Sequence, residues 1–195
     1  PEKNLGYGAG NNLGIKLAKS KYVLILNPDT ILLHNTIEKL NQASKKIEDF
    51  AILGPKIYGE NDNETQDYKS VEYIKGFAIL FNKEKFTKIG YFDEKYFLYF
   101  EEIDLCRKII KSGFKIYTVN DALIKHEGGK SHERKYDFEM ELSRNWHWMW
   151  STFYFKKKYK GYFVAFFEVL PKLLSSLVKF LFFSLFNNNE RKKIY

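Results

Sequence analysis

Residues 4–30, "NLGYGAGNNLGIKLAKSKYVLILNPDT", contain the succession whose order decides the fold. The first part, "NLGYGAGNN" (4–12), alternates Gly6, Gly8 and Gly10 among asparagines. Glycine admits backbone conformations closed to other residues, so this part reads as a turn. Leu13, Leu17 and Ala18 then recur at helical spacing, which predicts a helix beginning near Asn11 or Asn12. "KYVLIL" (21–26) follows as a short apolar run of strand formers, the pattern of a buried parallel strand, and "NPDT" stops it.

The same alternation continues outward. Asn35 with Glu38 resembles a capping box ahead of a helix with Ile37, Leu40 and Ile47 on its apolar face. "FAILGPKIY" (50–58) and "YIKGFAILFN" (73–82) read as strands separated by a polar loop, "GENDNETQDYK" (59–69). "KEKFTKIG" predicts a short helix ending on Gly90. "EEIDLCRKIIKSG" predicts a longer one ending on Gly113, with Ile103, Cys106, Ile109 and Ile110 inward. "FKIYTV" (114–119) is a further strand, and strands alternating with helices argue for an α/β layered domain. From about Tyr136 the strand signals stop and the chain becomes aromatic and basic, which predicts a helical appendage.

Composition bounds the classes of function. In 195 residues, 45% are hydrophobic and 29% charged, so the chain should fold. The single cysteine, Cys106, excludes an internal disulfide and any zinc site needing several thiolates. The net charge of +8 gathers in "KKKYK" (156–160) and "RKK" (191–193), beside apolar helix rather than across a folded face. That placement argues against nucleic acid as a partner. Between Tyr162 and Phe186, Glu168, Lys172 and Lys179 interrupt an apolar run, and Pro171 is expected to kink or divide it. No uninterrupted span of ~18 apolar residues remains to cross a membrane. A polar stripe of Glu168, Lys172, Ser175 or Ser176 and Lys179 is the form of a helix lying in a membrane interface; packing on the domain or on a partner subunit is the alternative.

Four groups of residues are candidates for chemistry, each with a plain structural alternative. The glycine loop matches neither a dinucleotide-binding G-x-G-x-x-G nor a Gly-Lys-Ser/Thr phosphate loop, which leaves an anion- or sugar-holding turn or a purely structural one. Asp29 at a strand end could coordinate a divalent cation, or serve as a turn or cap residue. Glu101, Glu102 and Asp104 crowd one helical turn, where the helix dipole favours them; their mutual repulsion can also raise one pKa for general-base work. His126 precedes a glycine pair in "IKHEGGKS", either as a ligand or as a structural histidine.

Taken in order, "NLGYGAGNNLGI", "YVLILNPDT", "GFAILFNKEKFTKIGYFDEKYFLYFEEIDLCRKIIKSGFKI" and "HEGGKS" resemble the family 2 inverting glycosyltransferases, specifically the bacterial rhamnosyltransferase-like branch, over nearly all of residues 4–132. The resemblance implies a GT-A fold, a mixed sheet flanked by helices, with the catalytic domain at 1–135 and a helical, membrane-associated segment at 136–195. It implies transfer of a sugar, rhamnose among the candidates, from a nucleotide-diphosphate donor to a glycan or lipid-linked acceptor in surface polysaccharide synthesis. Asp29 and His126 then match the metal and diphosphate site for Mg²⁺ or Mn²⁺, with Asn27 where the family often has a first carboxylate. Glu102 matches the catalytic base, with Asp104 the alternative, and Asn4, Gly6, Gly8, Gly10 and Asn11 match the loop beside the donor nucleotide. The chain opens on Pro1, and the family's nucleobase-binding portion would precede it, so the sequence is expected to be the later part of a GT-A domain. The expected location is cytoplasmic, peripheral on the inner face of the cell membrane. The competing expectation is a non-catalytic, membrane-associated module of the same fold.

Overall fold

The computed structural model describes residues 2–60, 66–126, 136–186 and 191. The expected turn at the start is shorter than its glycines suggest. Gly6 alone takes a left-handed φ of 83°, and helix α1 (Tyr7–Leu17) begins directly after it, enclosing Gly8, Gly10 and Gly14. Strand β1 (Tyr22–Leu26) follows, then the short β2 (Thr30–Leu32) and helix α2 (Thr36–Lys46). Asn35 stands at the start of α2, but with φ 58° and no side-chain cap, so the expected capping box does not form. Thr36 Oγ1 instead donates to the carbonyls of Leu33 and Leu123.

Strands β3 (Phe50–Ile57), β4 (Tyr68–Val71) and β5 (Ala78–Asn82), a 3-10 turn at Lys83–Lys85, and helices α3 (Phe86–Ile89) and α4 (Glu101–Lys111) lead into the long strand β6 (Lys115–His126). The sheet order is β1-β5-β3-β6-β2, with β4 also paired to β6. Among the described strands β3 and β6 are the one neighbouring pair joined in parallel; β1 pairs antiparallel with β5, so the expectation of a parallel strand before Asp29 is corrected. The error has a simple cause: an all-apolar run signals apolar neighbours on both faces and says nothing of direction.

Strand periodicity sorts the core. Ile25, Ile79, Phe81, Ile52 and Ile116 point to one face, under Ile15, Leu105 and Ile109. Leu53, Leu80, Tyr117 and Val119 point to the other, under Leu40, Ala43 and Ile47 of α2. On α4 the inward residues are Leu105, Cys106 and Ile109, whereas Ile110 is exposed. Burial pushes the Cys106 thiol up to about 11, which keeps it protonated and inert.

The chain divides into two compact units, one of Pro1–Lys95 with Glu101–Ser131, the other of Tyr96–Phe100 with His132–Tyr195. In the second, helices α5 (Asp137–Lys160) and α6 (Tyr162–Leu185) form a hairpin turning on Gly161, whose φ is 88°. Helix α6 continues through Pro171, which therefore does not divide it. Part of the expected polar stripe meets α5 while staying at the surface: Glu168 pairs with Lys156 and Lys160, and Lys172 lies over the Trp148 ring. Among the described residues no helix is long and apolar enough to cross a membrane.

Candidate active site

The opening asparagines divide the labour of fixing α1. Asn4 Oδ1 accepts from the Gly6 amide at 3.0 Å, and Asn11 Nδ2 donates to the Tyr7 carbonyl at 3.0 Å. Buried Asn12 reaches further, donating to the Phe92 carbonyl and to Glu94 Oε1 and accepting from the Phe92 amide. Gly8 lies against Phe92 and Glu101, and a β-carbon there would sit 3.1 Å from Phe92 Cβ. Nothing lies within 4 Å of the corresponding points at Gly10 and Gly14. Packing thus accounts for Gly8 but for neither of the other two.

After β1, Asn27, Pro28 and Asp29 carry the chain across the sheet end. The Asn27 amide donates to the Phe77 carbonyl at 2.8 Å as the chain passes β5, and Thr30 arrives opposite His126 on β6. This crossing sets Asp29 beside His126, with Asp29 Oδ1 3.4 Å from His126 Nε2. Asp29 Oδ1 is buried and has no hydrogen-bond partner among the described residues. A buried carboxylate oxygen that faces an imidazole nitrogen without a hydrogen bond to offset its desolvation fits a cation site. No third histidine, cysteine or acid completes a cluster among the described residues. The pair therefore suits Mg²⁺ or Mn²⁺ that takes its remaining ligands from phosphates and water. The glycine pair after His126 lies outside the described residues.

The three acids of α4 have separate environments. Glu101 and Asp104 are buried, three positions apart on the inward face, while Glu102 is half-exposed on another. Burial, with the charge of Glu102 second, pushes the Glu101 carboxyl up to about 7. The raised pKa expected in this cluster thus falls on Glu101, whose Oε2 lacks a hydrogen-bond partner among the described residues. Tyr73 donates its hydroxyl to Glu102 Oε1 at 3.1 Å, and burial and the Glu102 charge push the Tyr73 phenol above its ordinary range.

Residues 73–77, "YIKGF", join these parts. The sequence reading assigned them to a strand, but β5 begins only at Ala78. Tyr73 holds Glu102; Gly76 lies against Glu102 Cβ and Cγ and accepts from the Tyr7 hydroxyl; Phe77 stacks on His126 with centroids 4.4 Å apart. Asp29 and His126 are thereby brought to one end of the segment and Glu102 to the other. Tyr7, Tyr73 and Phe77 are the site residues that sequence reasoning missed. A glycine between two aromatics just before an apolar run was the available signal.

The model of the family described as glycosyl transferase family 2 matches residues 1–107. The low-salt glycan biosynthesis hexosyltransferase Agl10 of Haloferax volcanii is 26% identical over 141 residues, covering 58% of this chain and 46% of its own. The rhamnosyltransferase WbbL of Escherichia coli K12 is 24% identical over 152 residues, covering 58% of each chain. The chain spans about half the length of these curated relatives. Among solved structures, GalNAc-T7 with UDP, GalNAc and Mn²⁺ superposes with a TM-score of 0.56 at 13% identity, over 81% of this chain and 38% of that one. The mixed sheet with flanking helices is accordingly a GT-A fold, and with the family match spanning more than half of its residues, the chain belongs to glycosyl transferase family 2.

Proposed function

We propose that the protein transfers a sugar, with inversion, from a nucleotide-diphosphate donor to a hydroxyl of a glycan or lipid-linked glycan. The observation that carries this reading is the convergence of Asp29, His126 and Glu102 on residues 73–77. Glu102 accepts the proton of the acceptor hydroxyl as that oxygen attacks the anomeric carbon. The bond to the departing diphosphate breaks on the opposite side, so configuration inverts. The Tyr73 hydroxyl fixes the Glu102 carboxylate through Oε1 and leaves Oε2 for the acceptor. Glu102 rather than Asp104 takes this role because Asp104 is wholly buried. Asp29 and His126 hold the divalent cation, which when bound offsets charge on the leaving diphosphate. Asn27 serves by its backbone, which ties the crossing loop to Phe77, and Asn4, Gly6, Gly8, Gly10 and Asn11 shape the turn and helix beside the donor. The relatives named for rhamnosyl and hexosyl transfer, and the neighbour solved with UDP and Mn²⁺, support the assignment.

Transfer measured on the intact gene product tests it. General-base help is worth about 10²- to 10⁴-fold, so Glu102→Gln should lower kcat by that factor. Asp29→Ala should abolish the response to Mn²⁺. Wild-type turnover in both variants would reject the site and leave the non-catalytic module as the better reading.

The second unit supports peripheral attachment to the cytosolic face of a membrane. Glu168 and Lys172 of α6 meet α5, and the row Phe163, Phe167, Leu174, Val178, Leu181 and Leu185 is exposed. The lysines of α5 and the acids and bases of the hairpin leave this row free of charge.

A further inference from the structure

The five residues before α4, "YFLYF" (96–100), end on a backbone conformation that aromatic residues avoid. Tyr99 has a φ of 72° and Phe100 a φ of 69°, two successive left-handed residues with no glycine or asparagine to ease the crowding of the β-carbon. Such a pair persists only where its surroundings over-determine it. Helix α5 supplies that constraint residue by residue. Within the second unit the Tyr96 ring packs edge-on to Tyr154 with centroids 4.9 Å apart, and Phe97 stacks on His147 at 4.2 Å. The buried Ser151 hydroxyl donates to the Leu98 carbonyl at 2.7 Å. Trp148 meets both strained residues, Tyr99 at 5.2 Å and Phe100 at 5.4 Å, and Phe155 backs Phe100 at 5.0 Å.

The strained pair leads directly into the first turn of α4. Leu105, Cys106 and Ile109 fasten that helix into the core from its second turn onward. The direction in which the chain leaves Phe100 is therefore felt first at Glu101 and Glu102. Glu102 has to keep Oε1 on the Tyr73 hydroxyl, 3.1 Å away, for Oε2 to meet the acceptor. We infer that Trp148 is a positioning residue for the reaction: it holds Tyr99 and Phe100 in the left-handed conformation, and that conformation aims the Glu102 carboxylate. The inference rests on the transferase reading above and deepens it. Without Trp148 the pair relaxes to negative φ, the chain enters α4 along another line, and Glu102 loses its register with Tyr73.

Transfer kinetics of the intact gene product test this. Trp148→Ala should lower kcat by about 10- to 100-fold, as misplacing a reacting group by about an ångström does, and leave KM for the donor within about two-fold. Glycine takes a left-handed φ without a clamp, so adding Tyr99→Gly to Trp148→Ala should raise kcat again by about three-fold or more. Because Trp148 acts through Glu102, Trp148→Ala should cost no more than about two-fold in a Glu102→Gln background. General loosening of the fold would instead be deepened by the added glycine and would cost the same in either background. Should Trp148→Ala melt below the assay temperature, Trp148→Leu, which keeps apolar bulk but no flat ring, carries the same expectations. Wild-type kcat in the Trp148 variant, a further fall when Tyr99→Gly is added, or an equal loss in the Glu102→Gln background overturns the inference. Failure of the transferase reading shows separately, as wild-type turnover in Glu102→Gln alone.

Discussion

Glu101 and Glu102 are adjacent in sequence and chemically opposite in setting. Glu102 reaches Tyr73, whereas Glu101 points into the core beside Gly8 with one oxygen unpaired among the described residues. Folding therefore raises the Glu101 pKa from 4.5 to about 7, by burial first and the Glu102 charge second. Below pH 4.5 both folded and unfolded chains hold this proton and the group costs nothing. As pH rises the unfolded chain releases the proton first, so stability falls through that interval and levels off above about 7. Glu101→Gln should flatten this slope and stabilise the protein at pH 8 by about 2–3 kcal/mol. Urea unfolding at pH 5, 6, 7 and 8 measures it, and parallel curves for variant and wild type would contradict the burial argument. The difference between the two acids was already present in the spacing. Glu101, Leu105 and Ile109 recur at four-residue steps, which places Glu101 on the apolar face; the acids read as a cluster only because each was weighed by type before its face was assigned.

Helix α1 shows what sequence periodicity reveals and where it stops. Its glycines each disfavour a helix by roughly 0.5–1 kcal/mol relative to alanine, which is why the start was expected four or more residues late. Tertiary contacts override that preference: Asn12 fastens the helix to Phe92 and Glu94, and Ile15 is buried beneath it. Two of its three glycines should respond oppositely to substitution. Gly8→Ala sets a methyl 3.1 Å from Phe92 Cβ, and Phe92 cannot retreat because Asn12 holds both its amide and its carbonyl. A loss of about 1–3 kcal/mol is expected. Gly10→Ala meets nothing within 4 Å and should add about 0.5–1 kcal/mol. Thermal denaturation distinguishes the two, and equal shifts would remove the packing account of Gly8. If Gly10 does lie beside the donor, its alanine variant gains stability and loses donor affinity together. Strands β1, β3, β5 and the start of β6 were legible as apolar runs, whereas the short β2 and the polar β4, which begins within the expected loop 59–69, were not, and neither was the strand order. Residues 27–29 cross the sheet end to bring β2 beside β6, a long-range pairing that no local pattern encodes, and it is this crossing that creates the Asp29–His126 pair.

At the scale of the molecule, the second unit poses its own problem, because its hairpin pairs Glu168 with Lys156 and Lys160 along one side and leaves an apolar row exposed on another. A helix packed only on its own protein would do the opposite. Ala165 and Val169 are the buried positions of α6, whereas Phe163 is 77% exposed and Phe167 and Val178 each 65%. Pro171 falls on the same outer row, between Phe167 and Leu174. Moving a large apolar side chain from water into a lipid interface yields ~1.5–3 kcal/mol, so Phe167 and Val178 together account for roughly 100-fold in membrane affinity at the low end. Phe167→Gln with Val178→Gln should therefore weaken flotation with anionic liposomes by about that factor. Both residues are exposed, so the fold should be unaffected, and an unchanged melting temperature checks this. The adjoining lysines at 156–158 and 160 add an electrostatic contribution, so wild-type binding should also weaken as salt is raised. If the double variant floats as well as wild type, the row is not a lipid contact. If it instead changes from dimer to monomer in analytical ultracentrifugation, the row meets a second copy of the chain.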